Sequence, residues 1–197
     1  MTTELKLKSP LPPQDLLLQA MAAKAGLSVL EEIELDLLGD KPDVSAEKLL
    51  GKPMGVALKL PDGSQRFFNG ICMRFGIAQP QGRYFGYRAS VRPWLWYLTR
   101  TADCRIFQDL SVPEIVEQVF GDHGGIANFK FQLSRSYRKR VYCVQYRETD
   151  FNFVARLLED EGIYWYFKHS DGQHQLVLVD DPSFHDPAPG SEKLPFY

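Results

Sequence analysis

Residues 142–180 constrain the fold more than any other stretch, because strand, helix and hairpin signals follow one another there with almost no slack. Residues 140–146 read as a strand, and Thr149 or Asp150 then supplies the side-chain oxygen that caps a helix. Phe151, Val154, Leu157 and Leu158 share one face of that helix, and Gly162 stands where a left-handed cap is expected. The chain runs straight on into residues 163–169, turns at Asp171-Gly172 and returns through residues 174–179. Tyr164 and Tyr166 fall on one face of this hairpin and Ile163, Trp165 and Phe167 on the other. Both faces are therefore apolar. One is expected on the helix just before it, and the other needs a second partner inside or outside the chain.

A second helix is predicted over residues 111–120. Ser111 and Glu114 make a capping box, Pro113 suits the first turn, and Val112, Ile115, Val116, Val119 and Phe120 line one side up to Gly121, which is expected to stop it. The first hundred residues differ in character. Ile33, Glu34, Leu35, Asp36 and Leu37 alternate strictly, the period of a strand with one dry face. Residues 56–60 and 67–77 flank the turn Pro61-Asp62-Gly63-Ser64, with Gly70 and Gly76 suggesting a bend or bulge in the second run. After a turn at residues 79–82, Tyr87, Ala89 and Val91 alternate again. This half reads as an antiparallel meander able to close into a barrel. Residues 16–25 are ambiguous between helix and strand, and the cluster Trp94, Trp96 and Tyr97 reads as packing rather than as a ligand platform. The fold class is mainly β with an α+β second part: an antiparallel barrel-like domain over residues 1–100, a mixed helix and hairpin domain over 101–182, and a linker over 183–197.

Little in the sequence points to chemistry. A net charge of −2 gives no pull towards nucleic acid or an acidic membrane. Cys72, Cys104 and Cys143 are odd in number and far apart, which reads as reduced thiols. The N-terminal residues do not have the form of a general secretory signal, and no apolar run is long enough to insert in a membrane. No G-x-S-x-G occurs, and Cys143 reads as a core thiol rather than a nucleophile. His169 and His174 flank the hairpin turn and read as solvated, while His185 lies among aspartates without metal-ligand spacing. Glu159, Asp160 and Glu161 are consecutive at a helix end, so they do not face each other as an acid/base pair; basic neighbours are expected, with Arg138, Lys139 and Arg140 as candidates. No catalytic residue, cofactor or metal is expected.

Several blocks then carry a family resemblance. The runs Arg92-Pro93-Trp94-Leu95-Trp96-Tyr97-Leu98-Thr99, Arg105-Ile106-Phe107-Gln108-Asp109 and Ser111-Val112-Pro113-Glu114-Ile115 come first. Gln145-Tyr146-Arg147 with Asp150, Arg156, and Glu161-Gly162 follow in the same order. Together they resemble the VgrG spike proteins of bacterial type VI secretion and the related late control protein D of tailed phages. The resemblance implies a structural role without catalysis. It implies a homotrimer when full-length, a base like the phage baseplate hub on the hexameric Hcp tube, and baseplate, effector or adaptor proteins as partners. Assembly in the cytoplasm followed by export through the type VI machinery goes with it. It also implies that residues 16–25 are extended, and that the family's base and needle continue beyond residue 197. A phage tail component, one carrying cell-wall hydrolase activity, or an effector adaptor using Tyr164, Tyr166 or the loop 135–140 are the alternatives.

Overall fold

The computed structural model describes residues 4–185; the greater part of the expected linker, residues 186–197, lies outside them. Six strands, β1 (Glu4–Lys8), β2 (Leu17–Lys24), β3 (Glu32–Gly39), β4 (Pro53–Lys59), β5 (Gln65–Gln81) and β6 (Tyr84–Arg92), form one antiparallel sheet in the order β1-β4-β5-β6-β3-β2. The sheet curls into a half-barrel. The strict alternation of β3 buries Ile33, Leu35 and Leu37 against Val56, Tyr87, Ala89 and Val91 on the concave side. Opposite charges occupy the outer face of the same strands, with Asp36 on Arg88 at 3.0 Å and Glu32 on Arg92.

The topology corrects the simple meander. β4, β5 and β6 do run up and down, but the β2–β3 hairpin joins on the far side of β6, and β1, which the sequence reading left out, pairs with β4. Residues 16–25 settle as strand because β2 pairs along β3, a tertiary gain that outweighs their helix propensity. The irregularities of β5 are not at its glycines: the register slips between Cys72 and Arg74 and between Ala78 and Gln81. Gly70 instead permits a close approach, since a Cβ there would lie 2.5 Å from the Arg92 carbonyl.

After β6 the chain makes a 3-10 helix, Trp94–Thr99, and then β7 (Ala102–Phe107), α1 (Val112–Gly121), β8 (Phe129–Gln132), β9 (Cys143–Thr149), α2 (Asp150–Asp160), β10 (Tyr164–Ser170) and β11 (Gln173–Val179). β7 and β9 form a two-stranded antiparallel ribbon, and β10-β11-β8 form a mixed sheet in which β8 runs parallel to β11. α1 carries the predicted capping box. The helix ends at Gly121 as expected, and the chain leaves through right-handed Asp122 and the turns after it. The strand expected over 140–146 begins later, at Cys143, because Arg140 makes only an isolated bridge with Leu110. Thr149 caps α2 by accepting from the Asn152 N–H. At its other end Gly162 adopts φ +67° while Ile163 N–H bonds the Leu158 carbonyl and Gly162 N–H that of Glu159, a complete Schellman closure. The inward face of α2 includes Phe153, which the pattern missed, while Phe151 is half-buried against Trp165. This second core takes in Trp94, Leu95 and Leu98, with Trp94 edge-on to Phe120 at 5.0 Å. Among the described residues no helix is long and apolar enough to cross a membrane.

Candidate functional site

The motif residues fall into three groups, the third being Arg156, Glu161 and Gly162 on α2 and its C-terminal turn. The first converges on Asp150, the opening residue of α2, which is 5% exposed. Its Oδ1 accepts from Gln145 Nε2 at 2.7 Å and Arg105 Nη2 at 2.9 Å, and its Oδ2 accepts from the Thr101 hydroxyl at 2.6 Å with His123 Nε2 at 3.5 Å. Arg105 also donates to Gln145 Oε1 at 3.0 Å and pairs with Asp122. Burial alone would raise the Asp150 pKa; the hydrogen bonds from Gln145 and Thr101 and the charge of Arg105 outweigh it and hold the carboxyl below its ordinary value. The negative charge also sits at a helix N-terminus, where the macrodipole favours it. A carboxylate with both oxygens committed in this way is a node joining β7, β9, α1 and α2, with no lone pair left to take a substrate proton. Phe107 stacks on Phe153 beside it at 5.5 Å, Arg156 is bound to Glu148 at 2.7 Å, and Glu161 accepts from Arg140 at 2.9 Å ahead of the Gly162 turn.

The second group, Gln108, Tyr146 and Arg147, faces solvent and takes no part in that node. Tyr146 is 64% exposed, and Arg147, at φ +51°, holds its guanidinium 5.2 Å from the Tyr146 ring.

Of the surface candidates, Arg140 is tied to Asp160 and Glu161, the acidic helix end predicted to need basic neighbours. Lys139 approaches Glu114 at 3.9 Å and Arg138 is exposed. The preceding loop is fastened by Asp180, which accepts from the Ser134 and Arg135 N–H groups and from the Tyr137 hydroxyl. Burial opposes its charge, yet those bonds hold its carboxyl well below the usual range. Tyr164 and Tyr166 are half-buried: His185 stacks on Tyr164 with ring centroids 5.6 Å apart and leans on Tyr166 at 5.0 Å, so part of the missing cover comes from within the chain. Tyr166, His169 and His185 also line a cavity of about 380 Å³ with Glu31, Arg66 and Phe67.

His169 and His174 correct their reading as solvated turn residues. They pair across β10 and β11 and join the hairpin to the first half of the chain. His169 Nδ1 accepts the Asn69 N–H at 3.0 Å while its Nε2 faces Glu31 at 2.7 Å. His174 Nε2 accepts the Trp94 N–H at 2.9 Å. Asn69 Nδ2 donates to the carbonyls of Ser170 and Gln173 at 2.6 and 3.1 Å. Burial, with His169 close by, pushes the His174 pKa down to about 4. The sequence held one signal for this joint: two histidines flanking a two-residue turn are in cross-strand register. Their partners, 80 or more positions away in sequence, carried none. Among the described residues no group of three or more His, Cys, Asp or Glu side chains is placed to hold a metal ion.

Against known proteins, residues 24–197 match the phage tail baseplate hub (GPD) family. The chain belongs to that family. Among curated hub relatives, it is 47% identical over all 197 residues to the type VI secretion system spike protein VgrG1a of Pseudomonas aeruginosa, spanning 30% of that protein's length. A solved structure of the E. coli c3393 protein aligns over 93% of this chain and 50% of its own, with a TM-score of 0.79 at 24% identity. It is described as a component of the type VI secretion system with structural similarity to the T4 bacteriophage tail proteins gp27 and gp5. A Francisella PdpA–VgrG complex aligns over 91% of this chain and 31% of its own, with a TM-score of 0.59 at 12% identity. These two show a shared hub fold.

Proposed function

We propose that this chain is the hub segment at the base of a type VI secretion spike, a structural part without catalysis of its own. The observation that carries the reading is the 47% identity to a named spike protein across the full 197 residues. The chemistry agrees with it: the buried carboxylate is saturated, whereas the sheet keeps β1 and β2 as edges of a half-barrel that a ring of copies would cover. In the full-length protein the segment trimerises and seats on the Hcp tube, with baseplate and effector or adaptor proteins as further partners. It assembles in the cytoplasm and leaves through the type VI machinery. We assign it two units, the expected 1–100 and 101–182 with the border moved ahead of the 3-10 helix Trp94–Thr99, whose buried side chains pack in the second core. Light scattering on the complete base tests the reading; a base that stays monomeric at high concentration overturns it.

A phage tail hub is the second reading, favoured by the hub family itself. Contractile sheath and tube genes beside this one would support the spike, and capsid genes the phage.

A further inference from the structure

The outer face of the β7–β9 ribbon lies outside both cores among the described residues. The register Phe107↔Cys143, Ile106↔Val144, Arg105↔Gln145 and Cys104↔Tyr146 places Arg105, Phe107, Cys143 and Gln145 on the core side. Cys104, Ile106, Val144 and Tyr146 therefore point outward. The Leu110↔Arg140 bridge continues the pairing and puts Gln108 opposite Tyr142 on that same outer face. Ile106, Tyr142 and Tyr146 are 59%, 56% and 64% exposed, an apolar stripe on a ribbon already apolar on its other side. β7 and β9 pair only with each other among the described residues. Arg156 closes part of the β9 edge by donating to the Val144 carbonyl at 2.8 Å, and among the described residues no strand lies along the outer edge of β7.

Each end of the stripe carries a guanidinium without an ion pair among the described residues. Arg147 stands at the Tyr146 end, and Arg138 and Lys139 immediately precede the Tyr142 end. Arg138 and Arg147 have no ion pair among the described residues, unlike Arg105, Arg140 and Arg156. Of the nearby carboxylates, Asp103 and Asp122 are engaged by Arg105 and Glu148 by Arg156, which leaves exposed Asp109, beside Gln108, without an ion pair among the described residues.

We infer that this face binds an extended segment of a second, different protein, in which apolar side chains alternate and carboxylates stand at the ends, laid along the free edge of β7. Strand addition supplies backbone hydrogen bonds, alternate side chains reach Ile106 and Tyr146, and guanidinium–carboxylate pairs fix the ends. A second copy of the chain is the poorer occupant. A two-fold contact through this same face would set Arg147 of one copy against Arg138 and Lys139 of the other, and a head-to-tail contact within a ring is told apart by its dependence on protein concentration. The inference goes beyond the hub reading and does not need it, because ring formation and occupancy of this ribbon are measured separately.

Cys104 lies within the stripe and is exposed, whereas Cys72 and Cys143 are buried, so its alkylation by iodoacetamide reports occupancy on the unaltered chain. The probe is a synthetic peptide of alternating valine and glutamate with glutamates at both ends. Saturating peptide should slow Cys104 alkylation at least about five-fold, less so as salt is raised. Arg147→Glu and Ile106→Asp, checked for native circular dichroism, should abolish the protection. The proposal is overturned by absence of protection at about 1 mM peptide, by equal protection from the lysine-for-glutamate peptide, or by protection that survives both substitutions. Slowing that appears on raising the protein concentration without peptide also overturns it, since a second copy then covers the face.

Discussion

Asp150 ties four side chains of the second half together. Arg105, Gln145, Thr101 and His123 reach it from separate points of the chain, and its own backbone opens α2. Replacing it by alanine leaves the Arg105 charge and the fully buried Gln145 amide short of a partner, the costly direction for a buried pair. Asp150→Ala should lower the unfolding free energy by about 3 kcal/mol, read from the urea midpoint at neutral pH. Gly162 is a smaller case of the same dependence. A Cβ there would meet only the Arg135 Nη2 at an ordinary 3.5 Å contact, but the residue must adopt φ +67°, so Gly162→Ala should cost about 1 kcal/mol by the same assay.

At the scale of elements, the joint between the half-barrel and the β10–β11 hairpin depends on imidazoles that accept backbone N–H groups. His174 accepts from Trp94 and so must be neutral; His169, Glu31 and Asn69 are the polar groups around it. With a folded pKa of about 4 against roughly 6.5 in the unfolded chain, the unfolded state takes up a proton first. Stability is then complete above about pH 6.5, falls as pH drops, and stops falling from this source near pH 4, a loss of roughly 3 kcal/mol. His174→Gln, whose amide oxygen can still accept from Trp94, should flatten that window in denaturant midpoints taken against pH; an unchanged slope would assign the loss to other groups. The sequence showed the local half of this architecture. Ser111 with Glu114, Thr149 and Gly162 fixed helix ends through bonds made within a few residues, and β3 declared its dry face by alternation. It did not show β1, the crossing that brings β3 beside β6, the slips in β5, or the partners of His169 and His174. Each of those is decided by contacts between distant segments. The motif blocks around Arg105 and Gln145 were visible as residues, but their convergence on one carboxylate follows only from the register of β7 with β9.

For the whole molecule, the question is where one unit ends and the next begins. Helices appear between strands from about residue 101, which puts the border there by sequence pattern. Yet the fully buried Trp94 and Leu98, together with Leu95, pack in the second core, and Trp94 Nε1 donates to the Asn128 carbonyl at 3.1 Å. A chain cut at residue 101 would lose three buried side chains and one wall around Phe120. Burying a large apolar side chain is worth about 1.5–3 kcal/mol, so the cut removes on the order of 6 kcal/mol, comparable to the net stability of a small domain. Residues 101–185 alone should therefore be molten, with native-like far-ultraviolet and weak near-ultraviolet circular dichroism. Residues 93–185 should recover a cooperative urea transition. If the shorter piece unfolds as cooperatively as the longer, the 3-10 helix is a passive connector and the border belongs after it.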